Sequence, residues 1–140
     1  MTENKKVLLA DDDIFYAKIM RRHIVNAGYD VVIAINGKEA VESVRKDKPD
    51  LAILDIMLPQ LDGFSVLCQI KQMGGDTAKI PVFMISNLAQ ETDKKKGMEL
   101  GANEYIVKSD LTLKDIVDKI KNGDISILYL SPELLLSCDT

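Results

Sequence analysis

Five short apolar runs, each followed by an amphipathic stretch, constrain this chain more than any other feature. The runs are VLLA (7–10), VVIAI (31–35), LAIL (51–54), VFMI (82–85) and YIV (105–107). Several are continuous rather than alternating, as expected of strands covered on both faces. Between them apolar residues recur at helical spacing. The first stretch carries Ile14, Ala17, Ile24 and Val25, with Phe15 and Ile19 beside them; the last carries Leu113, Ile116, Val117 and Ile120. The alternation predicts an α/β fold of the (βα)5 type. Connections through helices make the five strands parallel, with helices on both faces of the sheet.

Punctuation places the helix ends. Asn36 and Glu39 form a capping pattern ahead of Ala40 and Val41, and Asp62 can cap the third helix. Thr112 and Asp115 resemble a capping box, with Leu111 and Ile116 spaced as its hydrophobic staple. Gly28, Gly101 and the pair Gly74-Gly75 stand where helices should stop. Pro81 falls at a strand start, where a missing N–H is tolerated. Gly97 lies inside the fourth helix and weakens it by about 1 kcal/mol relative to alanine.

A chain of 140 residues is one domain's worth, with no internal repeat and no low-complexity linker. Its net charge of −4 argues against a nucleic-acid binder. No apolar run approaches the ~20 residues of a membrane span. The opening MTENKK has no apolar core behind it, so no secretory signal is expected. Cys68 and Cys138 lack metal-type spacing and fit a reducing cytoplasm. The single histidine, His23, falls in a helical stretch and reads as an ordinary surface or half-buried residue.

Parallel α/β sheets bind ligands at the carboxyl ends of their strands. Four of the five runs end there in a reactive group: Asp11, Asp12 and Asp13 after the first, Asp55 after the third, Ser86 after the fourth and Lys108 after the fifth. Taken singly, each has an ordinary explanation. Asp12 or Asp13 can cap the first helix, Asp55 can serve a turn before Pro59, Ser86 or Asn87 can cap the fourth helix, and lysines are usually solvated. Taken together, they build a pocket of carboxylates that cannot all stay ionised without a cation. A hard ion such as Mg2+ suits those oxygens. Carboxylates, a hydroxyl and an ammonium around one point describe a site that binds or transfers phosphoryl groups, with a carboxylate as possible nucleophile. Periodicity leaves open whether Asp11-Asp12 or Asp12-Asp13 is the metal-holding pair.

The segments VLLADDD (7–13), LAILDIMLPQLDG (51–63), IPVFMIS (80–86) and LGANEYIVKSD (100–110) closely resemble a response regulator receiver domain, of the kind that includes the single-domain chemotaxis regulators. The resemblance covers roughly residues 5–121. It implies a flavodoxin-like doubly wound sheet of order 2-1-3-4-5 and a phosphorylation-dependent switch. It implies that Asp55 accepts a phosphoryl group, and that Asp11 and Asp12 hold Mg2+, with Asp55 and the backbone carbonyl of Met57 completing the metal site. It casts Ser86 as the switch hydroxyl, Lys108 as the cation paired with the phosphoryl group, and Tyr105 as the aromatic that moves inward with Ser86. The implied partners are a histidine kinase or histidine phosphotransfer protein, docked near Phe15, Tyr16 and the loop after Lys108, and a downstream output protein. The α4-β5-α5 face is the surface to be remodelled, and a homodimer through that face or the tail is compatible with the sequence. Gly97 and the run Lys94–Lys96 are expected on that face, where a weak fourth helix would ease remodelling. Such a protein is not a turnover enzyme; it catalyses its own phosphorylation and slow dephosphorylation.

The chain departs from the family pattern in three places. Ser109 stands where the family usually has a proline after the lysine, often behind a cis bond, and a cis bond to a non-proline residue costs about 3–4 kcal/mol. A trans path is the alternative. Met57 and Leu88, two positions beyond Asp55 and Ser86, cannot orient a hydrolytic water, which predicts a long-lived phosphorylated state. Finally, residues 1–122 account for the receiver, and the apolar tail 123–140 lies outside the resemblance. Ser131-Pro132-Glu133 reads as a helix start, and Leu134, Leu135 and Leu136 require burial. That tail is too short for a DNA-binding domain. Docking on this domain, a dimer contact and the start of an output segment all remain open for it.

Three rival readings share the architecture. A haloacid dehalogenase-like phosphatase would use Asp11 and Asp13 with Ser86 and Lys108, but it leaves Asp55 unexplained and lacks an acidic strand-end motif after Lys108. Flavin or dinucleotide binding lacks a G-x-G-x-x-G loop. An unphosphorylated receiver serving as an interaction module is the third, although every key position is filled.

Overall fold

Continuous apolar runs become the buried centre of a five-stranded parallel sheet of order β2-β1-β3-β4-β5. The computed structural model describes residues 4–87 and 90–123. In chain order these form β1 (Lys6–Ala10), α1 (Ile14–Asn26), β2 (Asp30–Ala34), α2 (Gly37–Asp47), β3 (Leu51–Asp55), α3 (Gly63–Gln72), a 3-10 turn (Thr77–Lys79), β4 (Val82–Ser86), α4 (Glu91–Glu99), β5 (Glu104–Val107) and α5 (Leu113–Gly123). The expected (βα)5 alternation and strand order are both present. Among the described residues no helix is long and apolar enough to cross a membrane.

Alternation along each strand sends neighbouring side chains to opposite faces, and the core divides accordingly. Leu8, Leu54 and Met84 join Val44, Leu67 and Ile70 beneath α2 and α3. Val7, Leu9, Ile53, Phe83 and Ile85 join Met20, Ile24, Ile116 and Ile120 beneath α1 and α5. β3 and β4 are buried along their whole length.

The helix signals act as the sequence suggests. The Glu39 amide donates to Asn36 Oδ1 at 2.8 Å, and the Ser65 amide to Asp62 Oδ1 at 2.9 Å. Thr112 and Asp115 cap reciprocally, at 3.1 Å in each direction, while Leu111 and Ile116 pack into one cluster. Gly28 and Gly101 adopt φ of +105° and +107° just beyond α1 and α4, conformations that L side chains resist.

Three local expectations need correction. On α1 the buried stripe is Ala17, Met20 and Ile24. Ile14 and Val25 face solvent with Phe15 and Ile19, because the sheet covers only one narrow stripe of the helix. On α4, neither Ser86 nor Asn87 is the cap. The helix begins after Gln90, which makes no side-chain capping bond. Gly97 is not on the outer face with Lys94–Lys96, which are exposed; it is the buried residue of α4. A Cβ there would sit 3.4 Å from Tyr105 Cδ2 and 3.6 Å from Met84 Cγ.

Candidate phosphoryl-transfer site at the carboxyl edge of the sheet

Strand register brings the four reactive ends level. Ala10 pairs with Leu54, which sets Asp11 beside Asp55, and Asp55 in turn pairs with Ile85. Ser86 pairs with Val107, and the Lys108 amide donates to the Ser86 carbonyl at 2.7 Å. β2 ends in Ala34, whose carbonyl accepts from the Asp11 amide at 3.0 Å. The second strand thus supplies backbone support and no reactive group.

The acidic run divides its work. Asp13 caps α1, its Oδ1 accepting the Tyr16 amide at 3.2 Å. Asp11 is fully buried; its Oδ1 accepts the Asp13 amide at 2.9 Å, and its Oδ2 accepts from Lys108 Nζ at 2.9 Å. Asp12 is exposed at the rim. Asp11, Asp12 and Asp55 each offer a carboxylate oxygen within 4.8 Å of the others, a spacing compatible with one shared cation. The donor set is oxygen only, which suits a hard ion.

Asp55 is held from two sides. Its Oδ1 accepts the Met57 amide at 3.0 Å, and its Oδ2 accepts from Lys108 Nζ at 3.0 Å. The Met57 side chain is 65 % exposed. The Lys108–Ser109 bond is trans, since no described peptide bond is cis, and on that path Lys108 still reaches both carboxylates. Its side chain is only 12 % exposed, so it is no ordinary surface lysine. Burial alone pushes the Lys108 ammonium down, but hydrogen bonds and Coulomb attraction to Asp11 and Asp55 outweigh it and leave it above the usual lysine range. Burial holds the Asp11 carboxyl above its ordinary value despite the same ammonium.

Ser86 is fully buried. Burial raises the Tyr105 hydroxyl, partly offset by a side-chain hydrogen bond with Ser86. The Tyr105 ring packs against the α2–α3 core.

Sequence reasoning missed two glycines that shape this edge. The Gly63 amide donates to the Ile56 carbonyl at 2.9 Å. A Cβ on Gly63 would collide with the Asp55 carbonyl oxygen and lie 2.9 Å from Ile56 Cα. The Gly37 amide donates to the Pro59 carbonyl at 3.1 Å, and a Cβ there would collide with the Leu61 carbonyl. Both let helix starts press on the loop after Asp55. The D-G pair at 62–63 was visible as a helix start, but contact with β3 is a tertiary fact. Tyr16, expected only as part of the donor-docking region, also has its ring against Lys108 Nζ, 4.4 Å from centroid to nitrogen.

Residues 7–121 match the family model described as response regulator receiver domain. The chain belongs to that family. It is 39% identical over 105 residues to the alkaline phosphatase synthesis transcriptional regulatory protein PhoP of Bacillus subtilis (strain 168), an alignment covering 75% of this chain and 42% of that protein. The chain thus matches less than half the length of that regulator. Among solved structures, the Francisella response regulator 1452 receiver domain superposes with a TM-score of 0.77 at 28% identity, covering 85% of this chain and 95% of that one. The receiver domain of sensor histidine kinase PA1611 from Pseudomonas aeruginosa PAO1 superposes with a TM-score of 0.77, covering 89% and 99%. At 22% identity it speaks for the fold alone, and that structure has a magnesium ion coordinated in its active site cleft. Receivers of this family serve two-component signalling, with phosphorylation as their general switch.

Proposed function

We propose that this receiver accepts a phosphoryl group on Asp55 from a phosphohistidine of a histidine kinase or phosphotransfer protein. The observation that carries the reading is Lys108 Nζ lying within 3.0 Å of both Asp11 and Asp55 at one strand edge. A carboxylate oxygen of Asp55 attacks phosphorus, the P–N bond breaks, and imidazole leaves as the phosphoryl group passes to aspartate. Asp11, Asp12 and Asp55, with the Met57 carbonyl, would hold Mg2+; the carboxylate oxygens lying within 4.8 Å of one another support this. Bound there, the ion neutralises charge on the transferred oxygens.

The chain's own groups do the rest. Lys108 offers a cation to the phosphoryl oxygens, and the Met57 amide holds Asp55 in place. Ser86 turns its hydroxyl to the new group, and Tyr105, its hydrogen-bond partner, follows. That movement biases α4, β5 and α5 toward a second arrangement. The face so remodelled would engage an output protein or a second copy of the chain. Phe15 is 84 % and Ile19 49 % exposed on α1 beside the site, which supports docking of the donor there. Residues 1–122 would make up the receiver. The tail from 124 onward lies outside the described residues. Work on the cytoplasmic side of the membrane, without turnover of a free substrate, completes the proposal.

The phosphatase alternative requires Asp13 as a second working carboxylate, whereas Asp13 Oδ1 caps α1. Intact mass after incubation with acetyl phosphate tests the choice. Gain of one phosphoryl group, with Mg2+ only and absent in Asp55→Asn, is expected. Steady phosphate release lost through Asp11→Asn rather than Asp55→Asn would overturn it.

A further inference from the structure

Lys108 is held by more than its two carboxylates. An ammonium has three N–H donors, and Asp11 Oδ2 and Asp55 Oδ2 engage it at 2.9 and 3.0 Å. The Tyr16 ring lies against the same nitrogen, 4.4 Å from its centroid, within the range where a ring face attracts a cation. Tyr16 is itself well fixed. It occupies the first turn of α1, its amide is bonded to the Asp13 cap, and its ring packs on the α1–α5 core. A chain of contacts therefore runs from Asp13 through Tyr16 and Lys108 to Asp11 and Asp55.

The ordinary reading of Tyr16 is a core-edge aromatic. Two facts exceed it. Lys108 lies one residue beyond the end of β5 and is followed by exposed Ser109, yet its side chain is only 12 % exposed, with the Tyr16 ring against its nitrogen. The two carboxylates are also the groups whose charge and ligation change during the proposed reaction. A ring face is uncharged, competes neither for metal nor for phosphoryl oxygens, and stays attractive throughout. We infer that Tyr16 is a positioning residue whose ring holds the Lys108 ammonium at the phosphoryl site while its carboxylate partners change. The positioning role rests on the proposed function; the ring–ammonium contact does not.

The test uses the full chain as wild type, Tyr16→Phe, Tyr16→Leu, Lys108→Ala and the Tyr16→Leu/Lys108→Ala double variant. The first readout needs no phosphorylation. Lysine-labelled protein should show the Lys108 ε-methylene protons shifted upfield by the ring in wild type and Tyr16→Phe, and near ordinary lysine values in Tyr16→Leu. The second is the rate of adduct formation with acetyl phosphate and Mg2+. Tyr16→Phe should stay within about twofold of wild type, and Tyr16→Leu should be about tenfold slower. Adding Tyr16→Leu to Lys108→Ala should cost nothing further. An unshifted Lys108 in wild type, an undiminished Tyr16→Leu rate, or the same tenfold loss in the Lys108→Ala background would overturn the inference. A ring-shifted Lys108 in a wild type that forms no adduct would overturn the phosphoryl reading, and the positioning role with it, leaving the contact in place.

Discussion

Asp11 and Asp55 share one ammonium: Lys108 Nζ lies 2.9 Å from Asp11 Oδ2 and 3.0 Å from Asp55 Oδ2, with both carboxylates buried. Removing the cation leaves two like charges facing each other at low dielectric, the costly half of a broken buried pair. Lys108→Met should lose about 3 kcal/mol of stability at neutral pH without divalent metal. Mg2+ should recover much of that loss, and should bind the variant more tightly than wild type because its competitor is gone. Urea unfolding with and without Mg2+ reads both effects. The folded-state pKa of Lys108 is raised, so its contribution is complete below the ordinary value of 10.5 and fades as pH rises through the higher folded value. Wild type and Lys108→Met should therefore converge in stability as pH rises through that raised folded value, and a gap that persists once Lys108 is neutral would refute the ion-pair account.

Gly63 tests how closely α3 must approach β3. Its Cβ position overlaps the Asp55 carbonyl, which is backbone and cannot swing aside. Gly63→Ala should cost at least 1–3 kcal/mol, about the range for overpacked sites, and should slow adduct formation by moving Asp55. Tm and intact-mass kinetics would show it. A variant with wild-type stability would mean that the loop relaxes freely.

Gly97 behaves oppositely. Its Cβ would make ordinary contacts with Tyr105, Met84 and Phe64, so alanine fits. Gly97→Ala should stabilise α4 by about 0.5–1 kcal/mol, seen as slower amide exchange in α4 and a higher urea midpoint. A firmer α4 should also resist the switch, so its amides should change less on phosphorylation than in wild type.

The α5 cap gives a clean pH signature. The backbone bond to Thr112 first, then its hydroxyl, hold the Asp115 carboxyl below the usual carboxylate range. A depressed carboxyl contributes stability above its unfolded value, and that contribution disappears as pH falls through the folded value. Asp115→Asn should therefore lower Tm slightly at pH 7, and the difference from wild type should shrink below about pH 4. A difference independent of pH would point to lost geometry rather than lost charge.

Periodicity and caps made the fold legible. Asn36, Asp62 and the Thr112–Asp115 pair are local signals, read by the backbone within three residues, and each acts as its position suggests. The stripe of α1 was misjudged because Ile14, Val25 and Phe15 are apolar yet exposed. Which apolar face turns inward is decided by the sheet, not by the helix. At the site, the strand ends were visible as residue types, but periodicity did not say which acids cluster; the family resemblance pointed to Asp11, Asp12 and Asp55, the three that the fold brings within 4.8 Å. Asp13 is spent on Tyr16, and only register sets Asp11 beside Asp55. The roles of Gly37 and Gly63 and the contact of Tyr16 with Lys108 were illegible for the same reason: their partners lie on other elements.

Met57 bears on how long the phosphorylated state lasts. Its amide is fixed by Asp55 Oδ1, while its side chain stands 65 % exposed beside the site. A thioether is a poor hydrogen-bond acceptor and no donor, so it cannot aim a water at phosphorus. Leu88, the other apolar position expected beside the phosphoryl group, lies outside the described residues. Spontaneous loss of the phosphoryl group should accordingly be slow in wild type. Met57→Asn should hasten it by about tenfold, within the reach of a single well-placed polar group acting on water, while Met57→Leu should leave it unchanged. The decay of the adduct by intact mass, after removal of acetyl phosphate, measures this directly. Equal lifetimes in all three proteins would show that access or Lys108, rather than the residue at 57, limits hydrolysis.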